Sequence, residues 1–154
     1  MVQERAEVRK GQQLIRGVLL AGAAVLSYWI GYEVYKGLLV SYWGEGIVER
    51  DRQSILYWTG MSHLFIGVPF YLLIGTIVHR KAGGPAADIV WTTVLCGLFF
   101  LLPAACIALL FAGLFPIFFT LEASLFYCQF AAEGLSFGLL SALIRRMPLR
   151  SRQA

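Results

Sequence analysis

The sequence predicts an all-α integral membrane protein: a four-helix bundle of antiparallel, up-and-down topology with N and C termini in the cytoplasm. Of its 154 residues, 58% are hydrophobic and 14% are charged, whereas soluble domains are about half apolar and a quarter charged. The hydrophobic residues form four long blocks, as in helices that face lipid. Lys and Arg lie mostly beside these blocks, on one side of the predicted membrane. We therefore predict a single membrane domain, 1–154, in contact with the lipid bilayer.

The four predicted spans cover about residues 17–40, 55–78, 89–112 and 117–144. Tyr42 and Trp43 follow the first span and form an amphipathic pair typical of a membrane interface. Charged residues precede this span, and its apolar run is far longer than that of a signal peptide, so we expect it to remain as an anchor. The charged stretch 44–54 is predicted to be an exposed loop.

Prolines interrupt the second and third spans. Pro69 removes one backbone hydrogen bond, which neighbouring helices can tolerate, so we expect a kink near Phe65. After a Gly-Gly-Pro turn, Asp88 is predicted to start the third helix as its N-cap. The third span contains Pro103. The turn at 113–116 is so short that the third and fourth helices must be neighbours.

The distribution of Lys and Arg orients the predicted bundle. Four lie at or before Arg16, two in the second connection and four in the C-terminal tail, against two in the first connection and none in the third. The positive-inside rule then places both termini and the second connection in the cytoplasm. The short loops and the clear charge bias favour a bacterial inner (plasma) membrane and a multi-pass protein.

Small residues recur at helical spacing in two spans. In a bilayer, helices associate by close packing at small residues and by polar contacts. The residues are Ala104, Ala108 and Ala112 in the third span, and Ala131, Gly134, Gly138 and Ser141 in the fourth. They predict packing of these two spans on each other or, alternatively, packing of one of them on a second copy.

Six polar residues inside the spans form a candidate intramembrane polar cluster: Glu33, Lys36, His63, Glu122, Gln129 and Glu133. An ionisable group costs roughly 2.5 to 3.5 kcal/mol to insert, so each should face the interior and have a partner. At about 1.5 Å per residue, the first four lie within about 10 Å of the outer end of their spans and can meet. Glu33 and Lys36, three residues apart on one helix, can also pair with each other. The cluster is either a structural network or an outward-facing ion or ligand pocket, in which Glu33 or Glu122 changes protonation and His63 switches near neutral pH.

Glu133 lies near the middle of the predicted bilayer, where the sequence places no Lys or Arg. It shares one helix face with Glu122, Gln129 and Ser136, opposite the small residues. The fourth helix is therefore expected to be central, with little lipid contact. An unpaired carboxyl group at that depth is expected to keep its proton and donate a hydrogen bond. A proton or cation site is the alternative.

No sequence motif specifies a reaction. There is no HExxH, no Gly-rich phosphate loop and no Ser-His-Asp set at helical spacing, and the basic residues flank apolar blocks rather than forming a nucleic-acid-binding face. We predict no enzyme, no catalytic residue, no cofactor, no metal ligand and no nucleic-acid partner.

The predicted function is that of a small non-enzymatic inner-membrane protein that binds a partner, another membrane protein or itself, within the bilayer. It could be an accessory subunit of a membrane complex or an immunity protein against a pore-forming toxin. The alternative is a small oligomeric transporter or proton-coupled carrier that uses the polar stripe of the fourth helix. A membrane enzyme acting on lipid or quinone is the third class, for which the sequence offers no nucleophile.

Overall fold

A computed structural model describes residues 2–44, 46–112 and 120–147. These residues form helices and no strand, which confirms the all-α class. The helices are α1 (Val2–Trp43), α2 (Glu49–Ser62), α3 (Val68–Lys81), α4 (Pro85–Leu98), α5 (Leu101–Ala112) and α6 (Leu121–Arg146), and a π-helical segment, His63–Gly67, joins α2 to α3.

Four stretches of the described chain are long and apolar enough to cross a membrane, and they identify a multi-pass membrane protein. They are Lys10–Tyr42, Glu49–Lys81, Pro85–Cys106 and Ala123–Arg146. Each overlaps one of the predicted spans. The second stretch begins about six residues before the predicted span, because the charged residues from Glu49 onward are already helical.

The second stretch changes from α-helix to π-helix at His63. The Val68 N–H donates to the His63 carbonyl, five residues earlier. Pro69 has no N–H to donate, and its ring displaces the carbonyl four residues before it, so the wider π-helical turn accommodates the proline. The irregularity predicted near Phe65 is thus present as a π-helical segment, and it leaves His63 buried.

The third stretch is two helices rather than the continuous one that was predicted. The Phe99 N–H contacts the carbonyls of Leu95 and Cys96 at 3.1 and 3.3 Å, which closes α4. Pro103 cannot donate to the Phe99 carbonyl, so the chain leaves the helix at 99–100 and resumes it at Leu101.

Helix α6 is at the centre of the described bundle. It contacts α1, α3, α4, α5 and the π-helical segment, and half of its span is buried, a larger share than in the other three. The predicted central position of the fourth helix is confirmed, but Leu135, Leu139 and Leu143 are exposed, so the expectation of little lipid contact is not. Its buried side chains include Gln129, Phe130, Glu133, Phe137 and Ser141.

Two glycines of α6 bring it close to α4. A methyl group on Gly134 would overlap the Cys96 carbonyl oxygen, and one on Gly138 would lie 2.9 Å from the Thr92 carbonyl oxygen. The predicted contact of the third and fourth spans is therefore present, and internal packing accounts for the glycine pair.

Ala104 is the one member of the predicted alanine stripe whose side chain lies in the described part of the structure. The surface that receives the glycines lies on α4, between Thr92 and Gly97. Ala104 of α5 is buried near Phe130 of α6. The side chains of Ala108 and Ala112, and the turn at 113–116, lie outside the described residues.

Candidate functional site

One imidazole–carboxylate pair lies at the centre of the bundle. His63 of the π-helical segment and Glu133 of α6 are both buried, and Nδ1 of His63 is 2.7 Å from Oε2 of Glu133. Gln129, one turn before Glu133, donates its Nε2 to Oε1 of Glu133 at 2.9 Å. We call these three residues the central polar network. All three belong to the predicted polar cluster.

The expected grouping of His63 with the outer residues is wrong, as is the expectation that Glu133 has no partner. Depth explains both errors. Because α2 begins at Glu49, His63 lies about 21 Å along the helix from that end, at about 1.5 Å per residue. Glu133 lies about 18 Å from the start of α6 by the same measure. The two side chains therefore meet at one depth.

The contact between His63 and Glu133 can be bridged by one hydrogen. Nε2 of His63 is 3.0 Å from the Ala24 carbonyl, which can only accept, so Nε2 carries a hydrogen. Nδ1 of His63 and Oε2 of Glu133 are 2.7 Å apart, and a hydrogen on either atom could join them. That hydrogen belongs either to an imidazolium facing a carboxylate or to a neutral carboxyl group facing a neutral imidazole. Both forms have zero net charge, which suits the interior of a bilayer.

Helix α1 packs against the central polar network at Gly31. A methyl group on Gly31 would lie 2.7 Å from the Gln129 carbonyl oxygen and 2.9 Å from Oε1 of Glu133. One turn earlier on α1, Ser27 is fully buried. The sequence carries a signal for this contact that the prediction missed: Ala23, Ser27 and Gly31 are small residues four apart on one helix face.

Side chains from α1 and α3 enclose the imidazole. The hydroxyl of Ser27 donates to the Ala24 carbonyl at 2.9 Å and lies 3.4 Å from Nε2 of His63. The rings of Tyr28 and Tyr71 flank His63, with centroids 5.7 and 6.2 Å away. The imidazole is thus held by polar contacts at both nitrogens and by aromatic rings beside it.

Glu33 and Lys36 do not join this network. They pair with each other at 2.7 Å, three residues apart on α1, and their side chains are 46% and 40% exposed. The expectation that they face the interior is therefore wrong. Glu122 lies in the first turn of α6, and its side chain is outside the described part of the structure.

A second ionic cluster joins the ends of α3, α4 and α6, and the sequence prediction did not contain it. Oδ2 of the buried Asp88 is 3.0 Å from Nδ1 of His79 and 3.0 Å from Nη2 of Arg146. Its Oδ1 is 3.7 Å from Nη2 of Arg145 and accepts from the Thr92 hydroxyl at 3.3 Å. We call these five residues the end cluster.

The prediction that Asp88 is an N-cap is wrong. Helix α4 begins at Pro85 after Gly84, so Asp88 lies in its first turn, where its N–H donates to the Gly84 carbonyl at 3.1 Å. Arg145 and Arg146, at the end of α6, are partly buried and neutralise Asp88. The usable signal was a carboxylate and two arginines predicted on one side of the membrane.

Within residues 2–44, 46–112 and 120–147, no three His, Cys, Asp or Glu side chains come together in a way that could hold a metal ion. No protein-family model matches this chain, and no curated protein or solved structure is similar to it.

Proposed function

We propose that this protein acts without catalysis, by binding another membrane protein or a second copy of itself within the bilayer. The observation that carries the proposal is the exposed ion pair of α1. Glu33 lies about 10 Å and Lys36 about 6 Å from the outer end of the predicted span, at about 1.5 Å per residue. Both side chains are partly exposed at the surface of the bundle.

A charged pair in that position is unfavourable in lipid. Lys36 has a long stem and can extend its amine toward the headgroups, but the short carboxylate side chain of Glu33 cannot reach them. Charged groups within membrane spans therefore tend to be covered by protein. A partner helix that donates hydrogen bonds to Glu33 would remove this cost.

The same face of α1 allows close approach of another helix. Nothing lies within 4 Å of a methyl group built on Gly37, four residues beyond Glu33. Glycine at a helix surface lets two backbones come together. We define the outer face of α1 as Leu26, Ile30, Glu33, Gly37 and Val40, which recur at three- and four-residue spacing and are exposed.

The setting we propose is a bacterial inner membrane, crossed by four antiparallel helices with both termini in the cytoplasm. The charge bias of the sequence supports this orientation. An accessory subunit of a membrane complex and an immunity protein against a pore-forming toxin both fit a partner-binding face on α1.

Site-specific photo-crosslinking in native membranes tests the proposal. A photoreactive amino acid at Ile30, on the outer face of α1, should give a protein adduct of defined mass, which Glu33→Gln weakens. Leu73 on α3 is the control position, because it is more exposed than Ile30, 52% against 37%. Lipid adducts alone at both positions, or an adduct unaffected by Glu33→Gln, would contradict the proposal.

A proton-coupled carrier is the second candidate, and the buried contact of His63 with Glu133 favours it. In proteoliposomes with an internal pH dye, this candidate predicts proton flux that Glu133→Gln abolishes and Glu33→Gln leaves intact. An absence of flux above that of empty liposomes would exclude proton leak or uncoupled flux through the network and leave partner binding as the proposal.

A further inference from the structure

A groove of about 340 Å³ lies between the end of α3 and the start of α4. Its volume is at the lower end of the range for ligand pockets, about 300 to 1,000 Å³. The residues that line it are mostly apolar, and Lys81 is the charged one: Ile77, Val78, Lys81, Ala82, Gly83, Ala87, Trp91 and Leu95. The groove opens on the outside of the bundle, where lipid surrounds a membrane protein.

The polarity of the groove changes along its length. Lys81 lies at its end, beside the connection at 82–84, where the chain leaves the apolar stretch. Ile77 lies one turn before Lys81 on α3, and Leu95 lies one turn after Trp91 on α4. Both turns lead away from the connection. The groove is therefore cationic at the membrane surface and apolar toward the membrane interior, as is a lipid-binding surface.

The charge of Lys81 is available to a ligand. Among the described residues, neither Lys81 nor its neighbour Arg80 forms an ion pair with a carboxylate. The carboxylate of Asp88 contacts His79 and Arg146 instead. An amine at the headgroup level with no internal counter-ion attracts an anionic headgroup, and basic pockets between membrane helices hold such headgroups.

We propose that this groove binds one anionic phospholipid, with its headgroup phosphate at Lys81 and one acyl chain along Ile77, Trp91 and Leu95. We propose a phospholipid rather than a free anion because the groove faces the lipid of the bilayer. We propose an anionic headgroup because Lys81 is positively charged. Trp91 lies against the chain near the interface, where tryptophan is favoured. This site is separate from the outer face of α1.

Trp91 also provides the assay. The chain has four tryptophans, so replacing Trp29, Trp43 and Trp58 with phenylalanine leaves Trp91 as the reporter. Its fluorescence is measured in phosphatidylcholine vesicles that contain either brominated phosphatidylglycerol or brominated phosphatidylcholine. A basic residue near the membrane surface contributes about 1 kcal/mol to the attraction of anionic lipid. We therefore expect phosphatidylglycerol to associate about fivefold more strongly than phosphatidylcholine.

Two charge-removing variants distinguish binding at the groove from a general effect of surface charge. Lys81→Gln should reduce the fivefold preference to none, whereas Arg80→Gln, which removes an equal charge next to the groove, should retain most of it. Equal quenching by both lipids, or equal loss of preference in the two variants, would overturn the proposal.

The second measurement needs no tryptophan replacement. The wild-type protein and Lys81→Gln are extracted from vesicles of mixed phosphatidylglycerol and phosphatidylcholine, and the retained lipids are identified by mass spectrometry. We expect one enriched phosphatidylglycerol on the wild-type protein and no enrichment on Lys81→Gln. The same lipid on both proteins would overturn the proposal.

Discussion

Replacing Gly134 with alanine should force α6 away from α4. The added methyl group would overlap the Cys96 carbonyl oxygen and lie 3.1 Å from Cα of Gly97. These are backbone atoms, which cannot rotate aside as a side chain can. Overpacking costs about 1 to 3 kcal/mol, and an obstruction by backbone belongs at the upper end. Alanine stabilises the helix by up to about 1 kcal/mol relative to glycine. We therefore expect the free energy of unfolding to fall by about 2 kcal/mol in total.

Gly17→Ala on α1 is the matched control. Nothing lies within 4 Å of the added methyl group, so the helix-propensity term acts alone and the variant should be unchanged or stabilised by up to about 1 kcal/mol. The free energy of unfolding is measured by titrating SDS into mixed micelles and following the helical circular dichroism. If Gly134→Ala were as stable as the wild-type protein, the described contact of α4 with α6 would be refuted.

Two further predictions use the same unfolding titration. Gly31→Ala places a methyl group 2.9 Å from Oε1 of Glu133 and should lower the free energy of unfolding by about 1 to 3 kcal/mol. Gly22→Ala, with nothing within 4 Å of the added methyl group, is the control and should not lower it. Equal effects of the two variants would argue against the packing of α1 on α6. Asp88→Asn removes the carboxylate that contacts two arginines in the end cluster and should cost about 1.5 to 3 kcal/mol, since hydrogen bonds to charged groups contribute about this much. Asp51→Asn, at an exposed position, is its control, and an equally small effect of both would show that the end cluster does not stabilise the bundle.

The membrane-crossing stretches could be predicted from the sequence because a block of apolar residues long enough to cross a bilayer is a strong signal. The helix ends were harder to place. Glu49 to Ser54 are too polar for hydrocarbon, so the sequence assigns them to a loop, yet they extend α2 as its first turns. Hydropathy marks where lipid begins, not where the helix begins.

That difference in helix ends explains most of the errors at the candidate site. If the second helix began at Ile55, His63 would lie close to the outer end of the bundle. Because the helix begins at Glu49, His63 lies at about the same depth as Glu133. Partners on different helices depend on such offsets and on helix rotation, which one sequence does not provide. Asp88 shows a second reason: its place after a turn suits an N-cap, and the cluster with Arg146 forms across 58 residues of chain.

The most direct test of the central polar network is a double-mutant cycle on His63→Leu and Glu133→Leu in the same titration. If the two side chains contact each other at 2.7 Å in the buried centre, the coupling free energy should be about 1.7 kcal/mol, the upper range for polar pairs in membranes. A coupling within about 0.5 kcal/mol of zero, as for independent sites, would contradict the pairing of His63 with Glu133.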